Sequence, residues 1–292
     1  MWLVFLQHVN IMSFCYLCKY MKTKVILVTG ASSGIGLEAA RKLSAQGHKV
    51  YGAARRTELI PEGVVPVSLD LTSPESVTSA VETVVKAEGR IDILVNNAGY
   101  GYFGAIENVP MEDARRQMEV NVFGLALMVK AVAPYMREQR SGRIINVSSV
   151  AGKAVLLYGG WYNVSKFSVE ALSDALRMEL KPFGIDVSII EPGGIRMPWG
   201  GIAADHLEES SRGTAYEKDG LSEANTLRKA YSWNLLSTSN VVARAISRAC
   251  NSRCPRTRYV VGFGARAILF FHAVLPTRWW DAIARGFARL KV

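Results

Sequence analysis

Seven short apolar segments alternate with longer amphipathic stretches along this chain. The first of them is a β-branched run of the kind found in strands buried on both faces of a sheet. The segments span residues 24–29, 48–54, 64–69, 92–95, 143–148, 186–190 and 258–261. Helices are predicted over residues 37–46, from 74 onward, over 111–138 and over 161–181. Strands that alternate with helices predict an α/β fold, a doubly wound parallel sheet of about seven strands with helices on both faces.

The seven segments are expected to form a single domain over residues 21–262, because neither a repeat nor linker-like composition interrupts them. Residues 1–20 are expected to be an N-terminal extension. They are too short and too often polar for a membrane span, which takes about 20 apolar residues, and they lack the marks of a secretory signal. A weak membrane anchor is the alternative. Residues 263–292 follow the domain as a basic amphipathic tail.

The net charge of +10 is concentrated near the C-terminus. Residues 253–292 contain seven Arg and one Lys against a single acid, Asp281. The rest of the chain is close to balanced, which argues against a nucleic-acid-binding face over the whole domain. With 49% hydrophobic residues among 292, the chain has ample material for a core.

Four cysteines, Cys15, Cys18, Cys250 and Cys254, form two close pairs in the sequence. Neither pair has a histidine or a further Cys pair at zinc-ligand spacing, so no metal site is predicted. No disulfide framework is indicated. Idle thiols in a reducing compartment are the expectation, which places the protein in the cytoplasm, with peripheral membrane association as the alternative.

A glycine-rich turn joins the first strand to the first helix. It contains Gly30, Ser32, Ser33, Gly34, Ile35 and Gly36. Glycines let a backbone turn tightly and approach a pyrophosphate, while a helix N-terminus supplies N–H groups and positive potential. The spacing is G-x-x-x-G-x-G rather than G-x-G-x-x-G. The turn is a candidate dinucleotide-binding site, and a plain tight turn is the alternative that glycines alone leave open.

Two arginines, Arg55 and Arg56, follow the second strand, about where dinucleotide-binding folds contact the adenosine ribose. An acid there would bind the 2′-hydroxyl of NAD, and the chain has none before Glu58. Guanidinium groups suit a 2′-phosphate because they are always charged and bind bidentately. The chemistry favours NADP over NAD, with NAD and a pair of solvated surface arginines as the alternatives.

Tyr162 and Lys166 stand four residues apart in a segment of helical periodicity, so their side chains leave the same face of a helix. A free tyrosine has a pKa of about 10 and is a poor base at neutral pH. A cation nearby favours the phenolate and lowers that pKa. Such a pair can donate and accept a proton near neutrality, although most pairs of this kind are a solvated rim.

Further short motifs occur in a fixed order along the chain. They are Thr29 to Gly36, Asp70-Leu71, Asn96-Asn97-Ala98-Gly99, Asn121 in Asn121-Val122-Phe123-Gly124, Ser149 thirteen residues before Tyr162, Tyr162-x-x-x-Lys166 and Pro192-Gly193. In this order and spacing the chain resembles the short-chain dehydrogenase/reductase family, in its compact single-domain branch, over residues 24–261. The resemblance implies a Rossmann-type fold, hydride transfer between nicotinamide and a carbon bearing oxygen, and a homodimer or homotetramer built on the two long helices.

The resemblance also implies a role for each of four catalytic candidates. Tyr162 gives or takes the hydroxyl proton. Lys166 lowers the pKa of Tyr162 and holds the nicotinamide ribose. Ser149 hydrogen-bonds the substrate oxygen, and Asn121 holds a water for proton relay.

Site chemistry and resemblance together predict a set of cofactor contacts along the ends of the strands. They are Gly30, Ser32, Ser33, Gly34, Ile35 and Gly36 in the turn, Arg55, Arg56, Asp70 and Leu71 around the adenosine, Asn97, Ala98 and Gly99 after the fourth strand, then Tyr162, Lys166, Pro192, Gly193 and Ile195.

One position departs from the family's pattern. Where members usually carry a threonine that binds the nicotinamide carboxamide, five residues after the proline of the Pro-Gly turn, this chain has Met197. A thioether is at best a weak acceptor and cannot donate. Weaker cofactor binding is one expectation, and an amide contact carried by the backbone of Ile195 is the other.

Residues 195–233 are expected to form a mobile substrate lid. Apolar residues placed to line a pocket with it are Tyr100, Tyr102, Phe103, Leu156, Leu157 and Trp199. Such a lining suits a small steroid-, retinoid- or lipid-like alcohol or ketone, although any one of these rings is equally at home in an ordinary core.

The tail contains an apolar stripe, Trp279, Ile283, Phe287 and Leu290, with charged residues away from it. A basic amphipathic helix can lie on an anionic membrane surface, but more commonly packs on its own domain or a partner subunit. The functional prediction is an NADP(H)-preferring oxidoreductase that acts on an apolar secondary alcohol or ketone. An NAD-preferring enzyme of the same type and a non-catalytic NADP-binding sensor or scaffold are the rivals.

Overall fold

The computed structural model describes residues 23–197, 199–232 and 234–289. The N-terminal extension and Leu290 therefore lie outside the described residues. The strands are β1 (Val25–Thr29), β2 (Lys49–Ala54), β3 (Val65–Ser68), β4 (Ile93–Asn96), β5 (Gly142–Val147), β6 (Ile185–Pro192), β7 (Ile195–Arg196), β8 (Ser237–Thr238) and β9 (Arg258–Val261). The α-helices are α1 (Gly34–Ala45), α2 (Pro74–Glu88), α3 (Met111–Met118), α4 (Gly124–Glu138), α5 (Gly160–Leu180), α6 (Trp199–Ser211), α7 (Glu217–Ser232), α8 (Ser239–Asn251), α9 (Ala265–Val274) and α10 (Thr277–Arg289).

Seven strands form one parallel sheet in the order β3-β2-β1-β4-β5-β6-β9. The chain builds outward from β1 through β2 to β3, and then crosses to β4 on the other side of β1. The carboxyl ends of β1 and β4 therefore border the crevice at which open α/β sheets bind their ligands. This architecture confirms the predicted fold class, a Rossmann-type doubly wound sheet in a single domain.

Apolar side chains cover both faces of the sheet, as the continuous apolar strands predict. In β1, Leu27 packs into the cluster formed with α2, α4 and α5, while Val28 packs into the cluster formed with α1 and α8. A strand that is buried on both faces has no polar side. The helices accordingly form a layer on each side and leave the strand ends as the place where polar groups converge.

The stretch that periodicity predicts as one helix over residues 111–138 is divided. A π-helical turn, Glu119–Phe123, separates α3 from α4. Directly after it, Gly124 allows close packing, because a Cβ there would lie 2.7 Å from the Cβ of Leu71. The turn faces Asn121 inward, where its side chain is buried. Such local π-turns are frequent at functional sites.

The composite helix Met111–Glu138 is also the one described helix that is long and apolar enough to cross a membrane by length and composition. Its apolar residues, among them Met128, Val132 and Met136, are buried in the core between the sheet and its neighbours. A core helix of this kind passes the same test.

Candidate active site

Two glycines shape the turn after β1, where Gly30 and Gly34 have φ angles of 68° and 55°. These left-handed conformations favour glycine. Gly36 is required for a different reason. A Cβ on Gly36 would lie 2.8 Å from the carbonyl carbon of Gly30, and closer still to that carbonyl's oxygen and to Nδ2 of Asn97. The first turn of α1 therefore packs directly on the backbone at the end of β1.

The N-terminus of α1 has the features of an anion site. Ser33 stands at the N-cap, and its side chain makes no capping hydrogen bond. The first turn of the helix contains no acid. Its N–H groups and the positive end of the helix dipole therefore remain for a negatively charged ligand at the crevice. This arrangement fits the diphosphate of a dinucleotide.

The predicted adenosine contacts lie around the ends of β2 and β3. Arg55 and Arg56 are exposed. Asp70 accepts hydrogen bonds from the N–H and the hydroxyl of Thr72, at 2.9 and 2.8 Å, and these bonds lower its pKa. The charge of Arg55 contributes in the same direction. An anionic carboxylate and a guanidinium thus share one rim of the crevice, while Leu71 is buried in the core.

Asn97 joins β1 to β4 at the crevice. Its Nδ2 donates to the carbonyl oxygen of Thr29 at 3.1 Å, and its backbone N–H donates to Oγ1 of the same threonine at 3.0 Å. Ala98 donates its N–H to that hydroxyl as well, at 3.1 Å. The side-chain amide of Asn97 is thus engaged in holding the strand ends together.

Asn121 is bonded on every side of its amide. Its Nδ2 donates to the carbonyl oxygen of Tyr100 at 2.8 Å and to Oγ of Ser165 at 3.0 Å, and its Oδ1 accepts from the N–H of Tyr100 at 3.0 Å. A Cβ on Gly99 would lie 2.9 Å from Oδ1 and 3.7 Å from Nζ of Lys166. Asn121 therefore lies beside Lys166.

Tyr162 lies in the first turns of α5, and its phenol is hydrogen-bonded to Ser149. Ser149 follows β5, accepts the N–H of Ala151 at 3.1 Å, and donates to the carbonyl oxygen of Pro192 at 3.4 Å. The hydroxyl of the neighbouring Ser148 instead faces Gly152, where it lies 2.7 Å from the position that a Cβ would take. Of the two serines, Ser149 faces the phenol.

Burial sets the pKa of Tyr162. Burial raises the pKa of Tyr162 to about 12, and the hydrogen bond with Ser149 opposes the increase. Lys166 lies on the same helical face, but its Nζ is 5.8 Å from the Tyr162 ring centroid and donates to the carbonyl oxygen of Val147 at 3.0 Å. The interaction that lowers the tyrosine's pKa here is the hydrogen bond with Ser149, and an effect of Lys166 on that pKa stays a prediction.

Lys166 is itself perturbed. Burial lowers its pKa to about 8, and the charge of Glu170, one turn further along α5, opposes the decrease. The amine therefore sits buried between the end of β5 and the π-turn, with a protonation state that changes close to neutral pH.

Sequence reasoning missed a buried ionic cluster behind Lys166. Arg258 on β9 contacts Glu170 at 3.2 Å, Asp174 at 2.7 Å and Glu191 at 3.1 Å, and Lys153 contacts Glu170 at 3.4 Å. Glu170 and Glu191 are nearly inaccessible. Glu170 and Glu191 are close to each other because α5 packs against β6. A single sequence does not indicate this contact between distant segments.

The cluster leads to a prediction for Glu191→Gln. Burial and Glu170 raise the pKa of Glu191 from 4.5 to about 7, so the folded state binds this proton more tightly than the unfolded state. The associated stability is full below about pH 4.5 and is lost as the pH rises through about 7. At roughly 1.4 kcal/mol per pKa unit, the whole contribution is roughly 3 kcal/mol, and the part lost between about pH 5 and pH 8 is roughly 2 kcal/mol. We expect the variant to gain that part over wild type across this range.

Urea unfolding of both proteins across that pH range measures the difference. Glu112→Gln, an exposed carboxylate on α3, is the matched control and should follow wild type. A difference in unfolding free energy between Glu191→Gln and wild type that does not change with pH would contradict the raised pKa.

The Pro-Gly turn after β6 is held by a backbone bond from Gly193 N–H to the carbonyl oxygen of Val261, at 2.8 Å. Ile195 follows in β7 and is buried. Met197 reaches back to the glycine turn, because its Sδ lies 3.4 Å from where a Cβ on Gly34 would be. At the position where a threonine was expected, an apolar thioether thus lies against the turn.

Helices α6 and α7 cover the Tyr162 side of the crevice. The Trp199 ring lies 5.3 Å from the Tyr162 ring, 5.6 Å from Phe103 and 5.7 Å from Tyr231 between centroids. Leu156 packs against the same cluster. Trp199 therefore forms an aromatic cover directly over the phenol.

Some predicted pocket residues belong elsewhere. Tyr102 stacks on His206 at 4.2 Å and packs in a separate cluster with Val109 and Trp161. Leu157 is not among the residues of the aromatic cluster. Tyr231 on α7 packs on Trp199 of the aromatic cluster. It was not predicted, because the mixed composition of α7 does not indicate which of its residues face the crevice.

No group of three or more His, Cys, Asp or Glu side chains in the described parts of the chain is arranged to hold a metal ion. The polar groups of the crevice are instead a phenol, a hydroxyl, an amine and a helix N-terminus. A parallel sheet with a glycine turn at its switch point and a Tyr-Lys pair in the crevice defines a nucleotide-binding oxidoreductase of Rossmann type.

Comparison with known proteins defines the family. The family model for short chain dehydrogenase matches residues 24–202. The chain is 34% identical to a probable short-chain type dehydrogenase/reductase, VdlC, of Helicobacter pylori, over 89% of this chain and 96% of that protein. This chain belongs to the short-chain dehydrogenase/reductase family, whose members use nicotinamide cofactors and are typically oligomeric.

Two further relatives are named for their substrates. The chain is 46% identical to a 3-ketodihydrosphingosine reductase of Bacteroides thetaiotaomicron, over 59% of this chain and 64% of that protein. It is 33% identical to 17-beta-hydroxysteroid dehydrogenase type 6 of Rattus norvegicus, over 90% of this chain and 88% of that protein.

Solved structures share the fold across most of the chain. A short-chain dehydrogenase from Streptomyces avermitilis superimposes with a TM-score of 0.75 at 32% identity, over 91% of this chain and 99% of that one. A Burkholderia cenocepacia member in complex with NADP gives 0.69 at 26% identity, over 91% and 98%. A Burkholderia phymatum member in complex with NAD gives 0.72 at 26% identity, over 90% and 95%. Relatives of this fold thus bind either cofactor.

Proposed function

We propose that the protein is an NADP(H)-preferring oxidoreductase that interconverts an apolar secondary alcohol and its ketone. The observation that carries the proposal is the hydroxyl of Tyr162, hydrogen-bonded to Ser149 and placed beside the buried Lys166 at the mouth of a nucleotide-binding crevice. A hydroxyl pair of this kind can bind a carbonyl oxygen: Ser149 orients the oxygen by a hydrogen bond, and Tyr162 donates a proton to it or accepts one from it.

The proton chemistry favours reduction. With a pKa raised to about 12, the phenol of Tyr162 stays protonated at neutral pH and is a general acid for a carbonyl oxygen. When bound, the nicotinamide supplies the hydride. Tyr162 gives its proton to the carbonyl oxygen, which becomes the hydroxyl of the product. Ser149 holds that oxygen in place, and Lys166 stabilises the phenolate as the charge develops.

Resupply of the proton is proposed to run past Lys166 toward Asn121. The amide of Asn121 is already bonded to Tyr100 and Ser165. A water in the relay would therefore bind the backbone carbonyl of Asn121 within the π-turn, rather than its side chain.

The proposed cofactor site uses the remaining crevice residues. The turn from Gly30 to Gly36 and the N-terminus of α1 would hold the diphosphate, while Pro192, Gly193 and Ile195 would bound the nicotinamide. Arg55 and Arg56 would bind the 2′-phosphate of NADP. Asp70 and Leu71 would contact the adenine, and Asn97, Ala98 and Gly99 would line the adenosine side.

The choice of an apolar substrate rests on the aromatic cover. Trp199, Phe103, Tyr231 and Leu156 surround the phenol with apolar surface, which suits a steroid-, retinoid- or lipid-like molecule. The names of two relatives, one for a ketodihydrosphingosine and one for a hydroxysteroid, support the same class. The segment 195–233 is proposed as the substrate lid, since its Trp199 lies against the Tyr162 ring that a substrate has to reach.

Arg55→Asp tests the cofactor preference. Losing a charge-assisted bond of roughly 1.5–3 kcal/mol should weaken NADPH about tenfold or more, while the new carboxylate accepts the 2′-hydroxyl of NADH. We expect the ratio of kcat/KM for NADPH to that for NADH to fall by at least about tenfold. Arg41→Asp, an exposed arginine on α1, makes the same charge change away from the crevice and should leave the ratio unchanged. An unchanged ratio in Arg55→Asp would contradict NADP preference.

The reaction itself is tested with a panel of ketones and alcohols, followed by nicotinamide absorbance with both cofactors. Steroid, retinoid and long-chain ketones should consume NADPH at least about tenfold faster than small polar ketones. A preference for the small polar ketones would contradict the apolar pocket.

A non-catalytic NADP-binding sensor or scaffold is the second candidate. Two observations favour it: Met197 lies against the glycine turn where a threonine was expected, and Trp199 covers Tyr162. Binding of NADPH without turnover of any member of the panel would support this candidate.

The assembly is proposed to be a homodimer or homotetramer through α4 and α5. The proposed compartment is the cytoplasm, in keeping with the free thiols of Cys250 and Cys254.

A further inference from the structure

The two C-terminal helices, α9 and α10, form a helical hairpin with an apolar outer face. On α9, Phe270, Phe271 and Val274 lie on one side and are 61%, 50% and 57% exposed. On α10, Trp279 is 66% exposed, and Ile283 lies one turn further along the same face. Amphipathic helices normally turn such a stripe toward their own domain. Here the stripe faces outward, and a contiguous exposed apolar face of this kind marks an interaction site.

The hairpin also has an inner side, which packs within the molecule. The ring of Trp280 packs edge-on against His272 at 5.1 Å between the two helices. Ala265 at the start of α9 is buried against the domain. The hairpin therefore makes its inward contacts through other residues, and the aromatic residues of the outer face take no part in them.

The charge around this face is positive. Arg266, Arg278 and Arg285 are all exposed, and Asp281 is the one acid among the described residues of the hairpin. Arg278 and Arg285 are seven residues apart on α10, so they lie along one side of that helix beside the Trp279 stripe. Aromatic and aliphatic side chains bordered by arginines suit the interface of a membrane that contains anionic lipids.

We propose that the C-terminal hairpin docks the protein on an anionic membrane surface. Phe270, Phe271 and Trp279 enter the interfacial layer, and Arg266, Arg278 and Arg285 contact the lipid headgroups. A second copy of the chain is a poorer occupant, because two such hairpins contain eight arginines and only two acids.

Docking at this place would bring the membrane to the cover of the crevice. Helix α10 contacts α7, and Tyr231 of α7 packs on Trp199 over Tyr162. An apolar substrate could then pass from the lipid to the crevice beneath α6 and α7. This last consequence rests on the proposed function, whereas the docking itself depends only on the hairpin.

Sedimentation of the full chain with vesicles tests the docking. We expect binding to phosphatidylcholine vesicles with roughly 30 mol % phosphatidylserine, and at least tenfold weaker binding to phosphatidylcholine alone. The double variant Phe270→Ser, Phe271→Ser should bind the anionic vesicles at least tenfold more weakly. Ile106→Ser, in the loop between β4 and α3 and 63% exposed, is the matched control and should bind like wild type.

A second pair of variants isolates the charge. Arg278→Glu with Arg285→Glu should reduce binding to the anionic vesicles at least tenfold, whereas Arg41→Glu with Lys86→Glu, an equal change of charge on α1 and α2, should not. Circular dichroism and NADPH binding confirm that each variant is folded. Neither readout depends on turnover, so the docking can fail while the proposed reaction stands.

Three results would overturn the proposal. The first is that wild type and all variants sediment equally with the anionic vesicles, and the second is that wild type does not sediment with them at all. The third is a change in oligomeric mass, measured by light scattering, in the Phe270 and Phe271 variant with vesicle binding unaltered, which would assign the face to a second copy.

Discussion

Replacing Tyr162 with phenylalanine is expected to lower kcat for ketone reduction about 10³-fold, within the 10²- to 10⁴-fold range of general acid catalysis, and to leave NADPH affinity within about twofold. The substitution removes one hydroxyl and keeps the ring. The ring's contacts with Trp199 and Phe103, at 5.3 and 6.1 Å, are therefore preserved, and the cover over the crevice should remain in place.

The size of the effect follows from what is left at the site. Ser149 can still hydrogen-bond a carbonyl oxygen, but its hydroxyl already donates toward the carbonyl of Pro192. Nζ of Lys166 is 5.8 Å from the Tyr162 ring centroid and donates to Val147. Neither group replaces a proton donor at the phenol position, so the barrier should rise by about 4 kcal/mol, the equivalent of 10³-fold.

Tyr51→Phe is the control for loss of a phenol hydroxyl away from the crevice, because Tyr51 is buried on β2 and hydrogen-bonds Glu88. It should reduce ketones like wild type. Steady-state rates give kcat, and fluorescence titration gives NADPH affinity. A Tyr162→Phe protein that binds NADPH and reduces ketones at the wild-type rate would refute the proposed mechanism.

The strands could be predicted from the sequence because a parallel sheet covered on both faces demands continuous apolar runs. Residues 24–29 thus correspond to β1, and the polar residues that end β1 and β4 converge at the crevice as expected. The Tyr162–Lys166 spacing also predicted a shared helical face correctly, since that geometry is local. Their roles in catalysis stay predictions.

Other features depend on contacts between distant segments and could not be predicted. The π-turn that buries Asn121 and the close packing of Gly124 on Leu71 directly after it are not encoded in the periodicity. The hydrogen bond from Lys166 Nζ to the carbonyl oxygen of Val147 could not be predicted either, because spacing sets the face of a helix but not the direction of a four-carbon side chain. Burial, which raises the tyrosine's pKa, is a property of the fold as a whole.

Gly36→Ala is expected to weaken NADPH binding at least about 100-fold, equivalent to about 2.7 kcal/mol, and to destabilise the fold by roughly 1–3 kcal/mol as an overpacked site does. The added methyl would overlap the carbonyl of Gly30 and Nδ2 of Asn97. Relief requires α1 to move away from the end of β1, which withdraws the N–H groups proposed to hold the diphosphate. Thermal unfolding and NADPH titration measure the two effects.

Gly201→Ala on α6 is the matched control, because a Cβ there meets nothing within 4 Å, and the change should not weaken NADPH binding. The double variant Gly36→Ala, Asn97→Ala separates the two collisions. Removing the Asn97 amide relieves only one of them, since the Gly30 carbonyl is backbone and remains, so affinity should not recover. A folded Gly36→Ala protein with wild-type NADPH affinity would show that the diphosphate does not depend on this close approach, and the proposed cofactor site at the turn would have to be abandoned.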